Sequence, residues 1–134
     1  MLVALTALAG CGGADEPPVV TPVASVCDAK EGSHLSVRGF LRLPEQIAVT
    51  DRTVIDLFAR REGAGARASV ELLLGQGPNQ LERPEAGFTA TSMRVRSKRG
   101  IVLTLNDAVI VVGTVTARDN ACVLTDVTVS VAAQ

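Results

Sequence analysis

Ala108-Val109-Ile110-Val111-Val112-Gly113-Thr114-Val115-Thr116-Ala117 decides the fold. β-Branched residues fill most of this stretch, and side chains stiff at χ1 fit a pleated sheet better than a helix. The turn residues Arg118-Asp119-Asn120 follow at once. Ala121 to Val131 then resumes in the same chemistry with Val123, Val127, Val129 and Val131. Two such runs joined by a tight turn predict an antiparallel pair.

The same period of two extends outward from that pair. Leu35, Val37, Gly39, Leu41 and Leu43 alternate with Ser36, Arg38, Phe40 and Arg42, which predicts a long half-buried strand stopped by Pro44. Gly39 at its centre predicts a bend. After a loop from Glu45 to Arg52 carrying Ile47 and Val49, strands are expected at Thr53 to Arg60 and Ala68 to Leu74. A flexible Gly/Ala connection, Arg61 to Arg67, joins these two, and Val70, Leu72 and Leu74 are expected inside. Gly75 to Thr91 contains Pro78 and Pro84 and reads as irregular, with at most a short helical turn around Gln80 to Arg83. Met93 to Lys98 and Ile101 to Leu105 form a small hairpin around Lys98-Arg99-Gly100, and Asn106-Asp107 is a turn. The chain is therefore expected to be all-β, with little helix.

Five main strands in this order resemble the OB-fold, a five-stranded Greek-key barrel. The residues that carry the likeness are Asp107 to Val115, like a penultimate OB strand, and Leu124 to Val129, like a last one. The likeness covers about residues 33–131 and places an extra β-hairpin and irregular insertion between strands 3 and 4. Closing the sheet would hide edges that otherwise invite aggregation. Members that bind single strands stack bases on aromatic rings. This chain has three Phe (Phe40, Phe58 and Phe88), no Tyr and no Trp, and a formal net charge of −1. No nucleic-acid partner is expected.

A second resemblance sits near the start. Leu8-Ala9-Gly10-Cys11 follows an apolar run and looks like the lipobox of a bacterial lipoprotein. That resemblance implies cleavage before Cys11 and acylation of its thiol, so residues 1–10 are expected to be a signal peptide. Such a peptide normally opens with a basic n-region. The first Lys is Lys30, so the n-region is expected upstream of Met1. Residues 11–26, rich in Gly and Pro, are expected to be a lipidated flexible tether, and residues 27–134 the barrel domain. Gly12 rather than Asp after the acylated cysteine implies, by the sorting scheme of enteric-type bacteria, an outer-membrane anchor facing the periplasm.

With Cys11 assigned to lipid, Cys27 and Cys122 remain, and an even pair in an oxidising compartment reads as a disulfide. Two unrelated buried thiols are the alternative. A metal site is not expected: no Cys-x-x-Cys occurs and His34 is the only histidine.

Two groups of residues are candidate contacts. Arg94, Arg96 and Lys98 alternate along one strand face, with Arg99 beside them, and suit a phosphate, an anionic polymer or an acidic protein surface. The same alternation also describes the solvated face of an ordinary hairpin. Arg38, Phe40 and Arg42 project from the outer side of the first long strand, where a ring between two cations suits a sugar or a mixed peptide surface. Gly75-Gln76-Gly77-Pro78-Asn79 lacks the Lys-Ser/Thr of a phosphate loop and reads as a turn. His34 lacks a nucleophile elbow and is expected to start a strand. No catalytic constellation and no cofactor are expected.

The resulting expectation is a non-enzymatic, lipid-anchored binding or assembly module of the cell envelope. Its membrane contact is the N-terminal lipid, and its partner an envelope protein or a glycan. The competing expectation is a periplasmic small-molecule or stress-related ligand-binding protein that uses the barrel mouth. A weaker one is a hydrolase using His34.

Overall fold

The computed structural model describes residues 19–47, 50–118 and 121–132. The expected signal peptide, Cys11 and the first part of the tether lie outside these residues, as do Val49 and the tip of the last turn.

Nine strands are described. They are β1 (Val20–Thr21), β2 (His34–Arg42), β3 (Arg52–Phe58), β4 (Arg67–Leu74), β5 (Gln80–Leu81), β6 (Val95–Arg96), β7 (Val102–Leu103), β8 (Val109–Arg118) and β9 (Ala121–Val131). The five long ones close a barrel. β2 pairs antiparallel with β3 and with β8, β3 with β4, and β8 with β9. The ring shuts through parallel pairing of β4 with β9, where Ser69 faces Val123 and Val70 faces Leu124. This is the all-β, OB-like Greek-key barrel expected from the strand pattern.

Alternation explains the core. Val37 and Leu41 of β2, Ile55 and Leu57 of β3, Val70 and Leu72 of β4, and Val109, Val111 and Val115 of β8 are all buried in one cluster. Their neighbours in sequence stay at least partly exposed, because successive side chains leave opposite faces of a strand.

β9 departs from strict alternation. Opposite β8 the register shifts, so that Val112 faces Thr128 while Thr114 faces Thr125. Two residues, Asp126 and Val127, therefore oppose the single Gly113, which is a β-bulge. Asp126 takes up the bulge with a φ of 51°. The phase change puts Leu124 in the core cluster, with Val123 buried outside it. Val131 ends β9 opposite Val109 and is 51% exposed.

The folded part begins earlier than the expected boundary at Cys27. β1 pairs parallel with β2, Val20 with Ser36 and Thr21 with Val37. A 3-10 helix follows over Val23–Asp28, and its Val23 and Val26 are buried against the barrel. Three-residue spacing places these two valines on one side of a 3-10 turn. Pro22 sits at the N-cap, where a missing N–H costs nothing. Residues 20–26 thus belong to the domain and not to the tether.

Within the insertion between β4 and β8, Gln80–Leu81 is a short strand where irregular chain with at most a short helical turn was expected. Gln80–Leu81 extends the sheet parallel to the end of β4, with Leu73 facing Gln80 and Leu74 facing Leu81. The ladder hydrogen bonds available at that edge favour extended backbone over an isolated turn. A short 3-10 turn occupies Ala90–Ser92, and the expected hairpin appears as the β6–β7 pair. Leu81, Met93, Val95 and Leu103 all join the barrel core, so the insertion is part of the fold. Cys27 is bonded to Cys122, with Cα atoms 5.6 Å apart, which staples the 3-10 helix to the start of β9.

Candidate functional site

Arg38, Phe40 and Arg42 leave the outer face of β2 as alternation requires, since Val37, Gly39 and Leu41 point inward. Arg38 is exposed, whereas Phe40 and Arg42 are half-buried. The Phe40 ring is not an open platform. Arg61, from the connection after β3, lies over it with its guanidinium carbon 5.6 Å from the ring centre, a cation–π arrangement. Arg42 runs along the same connection, close to Gly63.

Arg38, Phe40 and Arg61 line a hollow of about 310 Å³ with Asn106, Asp107 and Val131. Asp107 is engaged locally: its Oδ2 accepts from the Thr104 backbone N–H at 2.8 Å and lies 3.3 Å from Thr104 Oγ1. A second hollow of about 300 Å³, lined by Ser97, Lys98, Arg99, Ile101, Ser130 and Val131, adjoins the first at Val131. The structure therefore brings Arg38 and Phe40 of β2 and Lys98 onto adjoining hollows bridged by the end of β9, and leaves Arg42 outside them beside Gly63.

It does not bring the other hairpin cations there. Arg94 borders a separate hollow with Glu82, Arg83 and Glu85. Arg96 is half-buried, and its Nε is enclosed with no hydrogen-bond partner. The expected row of three cations is thus divided among different environments, although Arg94, Arg96 and Lys98 do leave the same hairpin face.

The Lys98-Arg99-Gly100 turn is held by Ser97. Its buried hydroxyl accepts from the backbone N–H of Arg99 at 3.1 Å and of Ile101 at 3.0 Å. Lys98 N–H donates to the Val129 carbonyl at 2.7 Å, tying the turn to β9. Asn79 completes the tie: its Oδ1 accepts from Val129 N–H at 2.8 Å, and its own N–H donates to the Arg96 carbonyl at 3.0 Å.

Sequence reasoning missed a charged cluster on the far side. Glu71 of β4 accepts from Arg118 at 2.6 Å and lies 3.6 Å from Arg52. The hydrogen bond from Arg118 holds the Glu71 carboxyl below the usual range despite its burial. Arg52, Glu71, Asn79 and Asp126 line a hollow of about 220 Å³ where β4 and β9 separate beyond the bulge. No sequence signal joins positions 52, 71 and 118, because only the barrel register makes them neighbours. His34 starts β2 as expected, and its Nδ1 lies 3.0 Å from Thr114 Oγ1 across the ladder.

No group of three or more His, Cys, Asp or Glu capable of holding a metal occurs among the described residues. No helix among them is long and apolar enough to cross a membrane.

No protein-family model matches the chain, and no curated protein matches it. Among solved structures it is similar to an OBody bound to hen egg-white lysozyme, at 17% identity and a TM-score of 0.46, over 87% of this chain and 98% of that one.

Proposed function

We propose that this chain is a lipid-anchored, non-enzymatic binding and assembly module of the bacterial cell envelope, acylated at Cys11 and facing the periplasm from the outer membrane. One observation carries the reading. Two of the three cysteines, Cys27 and Cys122, are consumed in a disulfide, and the third ends the Leu8-Ala9-Gly10-Cys11 motif. A disulfide suits an oxidising compartment, which is the compartment that the motif implies.

A role in binding is supported by how the polar groups are spent. His34 faces Thr114, Asp107 is taken by Thr104, and Glu71 by Arg118. The contacts proposed for an envelope protein or glycan remain Arg38, Phe40, Arg42, Arg94, Arg96 and Lys98, with Arg61 added because it covers Phe40.

The alternative of a small-molecule site draws on the hollow between β4 and β9, where charged groups converge. Its volume of about 220 Å³ falls short of the roughly 300–1,000 Å³ usual for ligand pockets, and the hollows of about 300–370 Å³ elsewhere only reach the bottom of that range, so the binding-module reading takes precedence.

Expression in a bacterial host with upstream codons restored, followed by labelling with a fatty-acid probe, tests the proposal. Label is expected on the parent and not on Cys11→Ala. An unlabelled parent would remove the anchor. In-cell crosslinking of the acylated protein then identifies the partner, with reduced capture expected from the Arg38→Glu variant.

A further inference from the structure

We propose that the surface joining the Lys98–Ile101 turn, the end of β9 and the Arg61-capped Phe40 docks on anionic lipid headgroups. The side chains lining the two adjoining hollows include four cations, Arg38, Arg61, Lys98 and Arg99, against one carboxylate, Asp107. Even with Arg38 set aside, Arg61, Lys98 and Arg99 against Asp107 give these lining side chains a formal charge of +2 on a chain whose formal net charge is −1, so the rest of the molecule is net acidic. Such asymmetry orients a protein on a negative surface, with this face inward and the acidic remainder outward.

The apolar side chains specify the kind of negative surface. Ile101 is 53% exposed at the turn and Val131 51% exposed beside it, and both line the hollow that holds Lys98 and Arg99. Aliphatic tips flanked by cations match the boundary of a bilayer, where phosphates overlie acyl chains. An acidic polysaccharide offers no such apolar layer. It is better met by an open aromatic platform, and the one ring here is already covered by Arg61. The Ser97 hydroxyl and the Lys98 tie to Val129 hold the turn in shape before contact, so little ordering entropy is lost on docking.

The inference takes the presence of a bilayer from the envelope reading, but its test is independent of acylation. The full chain carrying Cys11→Ser, and so unable to be acylated, is mixed with phosphatidylcholine vesicles made with and without phosphatidylglycerol, and bound protein is measured by sedimentation. Binding is expected only with phosphatidylglycerol, and it should weaken as salt is raised. Each surface cation contributes a factor of about five at an anionic bilayer, so Lys98→Glu combined with Arg99→Glu should reduce partitioning at least roughly tenfold. Ile101→Ser should also lower it, whereas Arg83→Glu, in a different hollow, should not. Melting curves of each variant show whether the fold is kept.

Equal partitioning onto both vesicle types, or undiminished binding by the Lys98/Arg99 variant, would overturn the proposal. So would preferential binding to soluble dextran sulfate, which would reassign the surface to an acidic polymer. Vesicle binding without fatty-acid labelling would leave this inference standing and remove the anchor. The reverse outcome would remove only the docking face.

Discussion

Gly39 of β2 is pressed against Phe58 of β3: a Cβ at position 39 would come within 2.5 Å of the Phe58 carbonyl oxygen. It would also lie 3.0 Å from Leu57 Cδ1, in the middle of the core. Phe40 pairs with Phe58 across the ladder, so this is where β2 bends over β3 to begin closing the ring. Backbone oxygen cannot rotate aside as a side chain would. Gly39→Ala is therefore expected to destabilise the domain by about 1–3 kcal/mol, the usual cost of overpacking. Urea unfolding monitored by circular dichroism measures it, and an unchanged midpoint would show that the β2–β3 crossing gives way.

Asn79 holds the insertion to the barrel by two separable means. Its Oδ1 satisfies Val129 N–H, and its backbone adopts a φ of 59°. Asn79→Gly keeps the left-handed backbone and loses only the acceptor, at a cost of about 1–3 kcal/mol for the orphaned N–H. Asn79→Ala loses the acceptor and adds roughly 1–2 kcal/mol for a Cβ in that region. Alanine should thus be worse than glycine, reversing the order expected within an ordinary strand. Equal midpoints for the two variants would contradict this.

The barrel was legible in the sequence because period-two alternation depends only on local chain geometry. In β2 Val37, Gly39 and Leu41, and in β4 Val70 and Leu72, are buried where their patterns place them, while Leu35 and Leu74 are only partly buried against the core. What was not legible depends on register. The Gly113–Asp126 bulge shifts β9 by one residue, and nothing local in Leu124-Thr125-Asp126-Val127 announces it. Gly113 is the fitting residue opposite, since a Cβ there would stand 2.7 Å from Val127 Cγ1, but its reason appears only after pairing. The surface that joins Arg38 to Lys98 was likewise hidden, because only the pairing of β9 with β8 places Val131 between them. Val23 and Val26 escaped notice because a 3-10 turn leaves a weaker pattern than a strand, and the prolines before them suggest a tether.

The Cys27–Cys122 bond closes a loop with a sequence separation of 95 residues. In the chain-entropy model such a loop stabilises by roughly 4–5 kcal/mol, less any strain in the native state. It also keeps the 3-10 helix, with its buried Val23 and Val26, at the barrel wall. Reductant is expected to lower the urea midpoint of the parent to that of the Cys27→Ala/Cys122→Ala variant and to leave the variant unmoved. A parent insensitive to reductant would mean that the bond does not form in solution.

Glu71 and Asp56 should give stability opposite dependences on pH. The Glu71 pKa is lowered, chiefly by the Arg118 hydrogen bond, so its contribution is present above the ordinary carboxylate range and is lost as pH falls through its folded value. Arg118 and Arg52 are largely in solvent, at 43% and 62% side-chain exposure, so screening limits that contribution to about 0.5–1 kcal/mol. Asp56 is shifted upward by desolvation, only partly offset by Arg67. Its ionisation therefore works against the folded state, a penalty absent in acid and established as pH rises through its folded value. At neutral pH Glu71→Gln should lower the melting temperature and Asp56→Asn should raise it, and both differences should fade on acidification. Melting curves from neutral to acidic pH decide the matter. A Glu71→Gln deficit that persists unchanged in acid would show that its carboxylate charge contributes nothing, leaving packing as the cause.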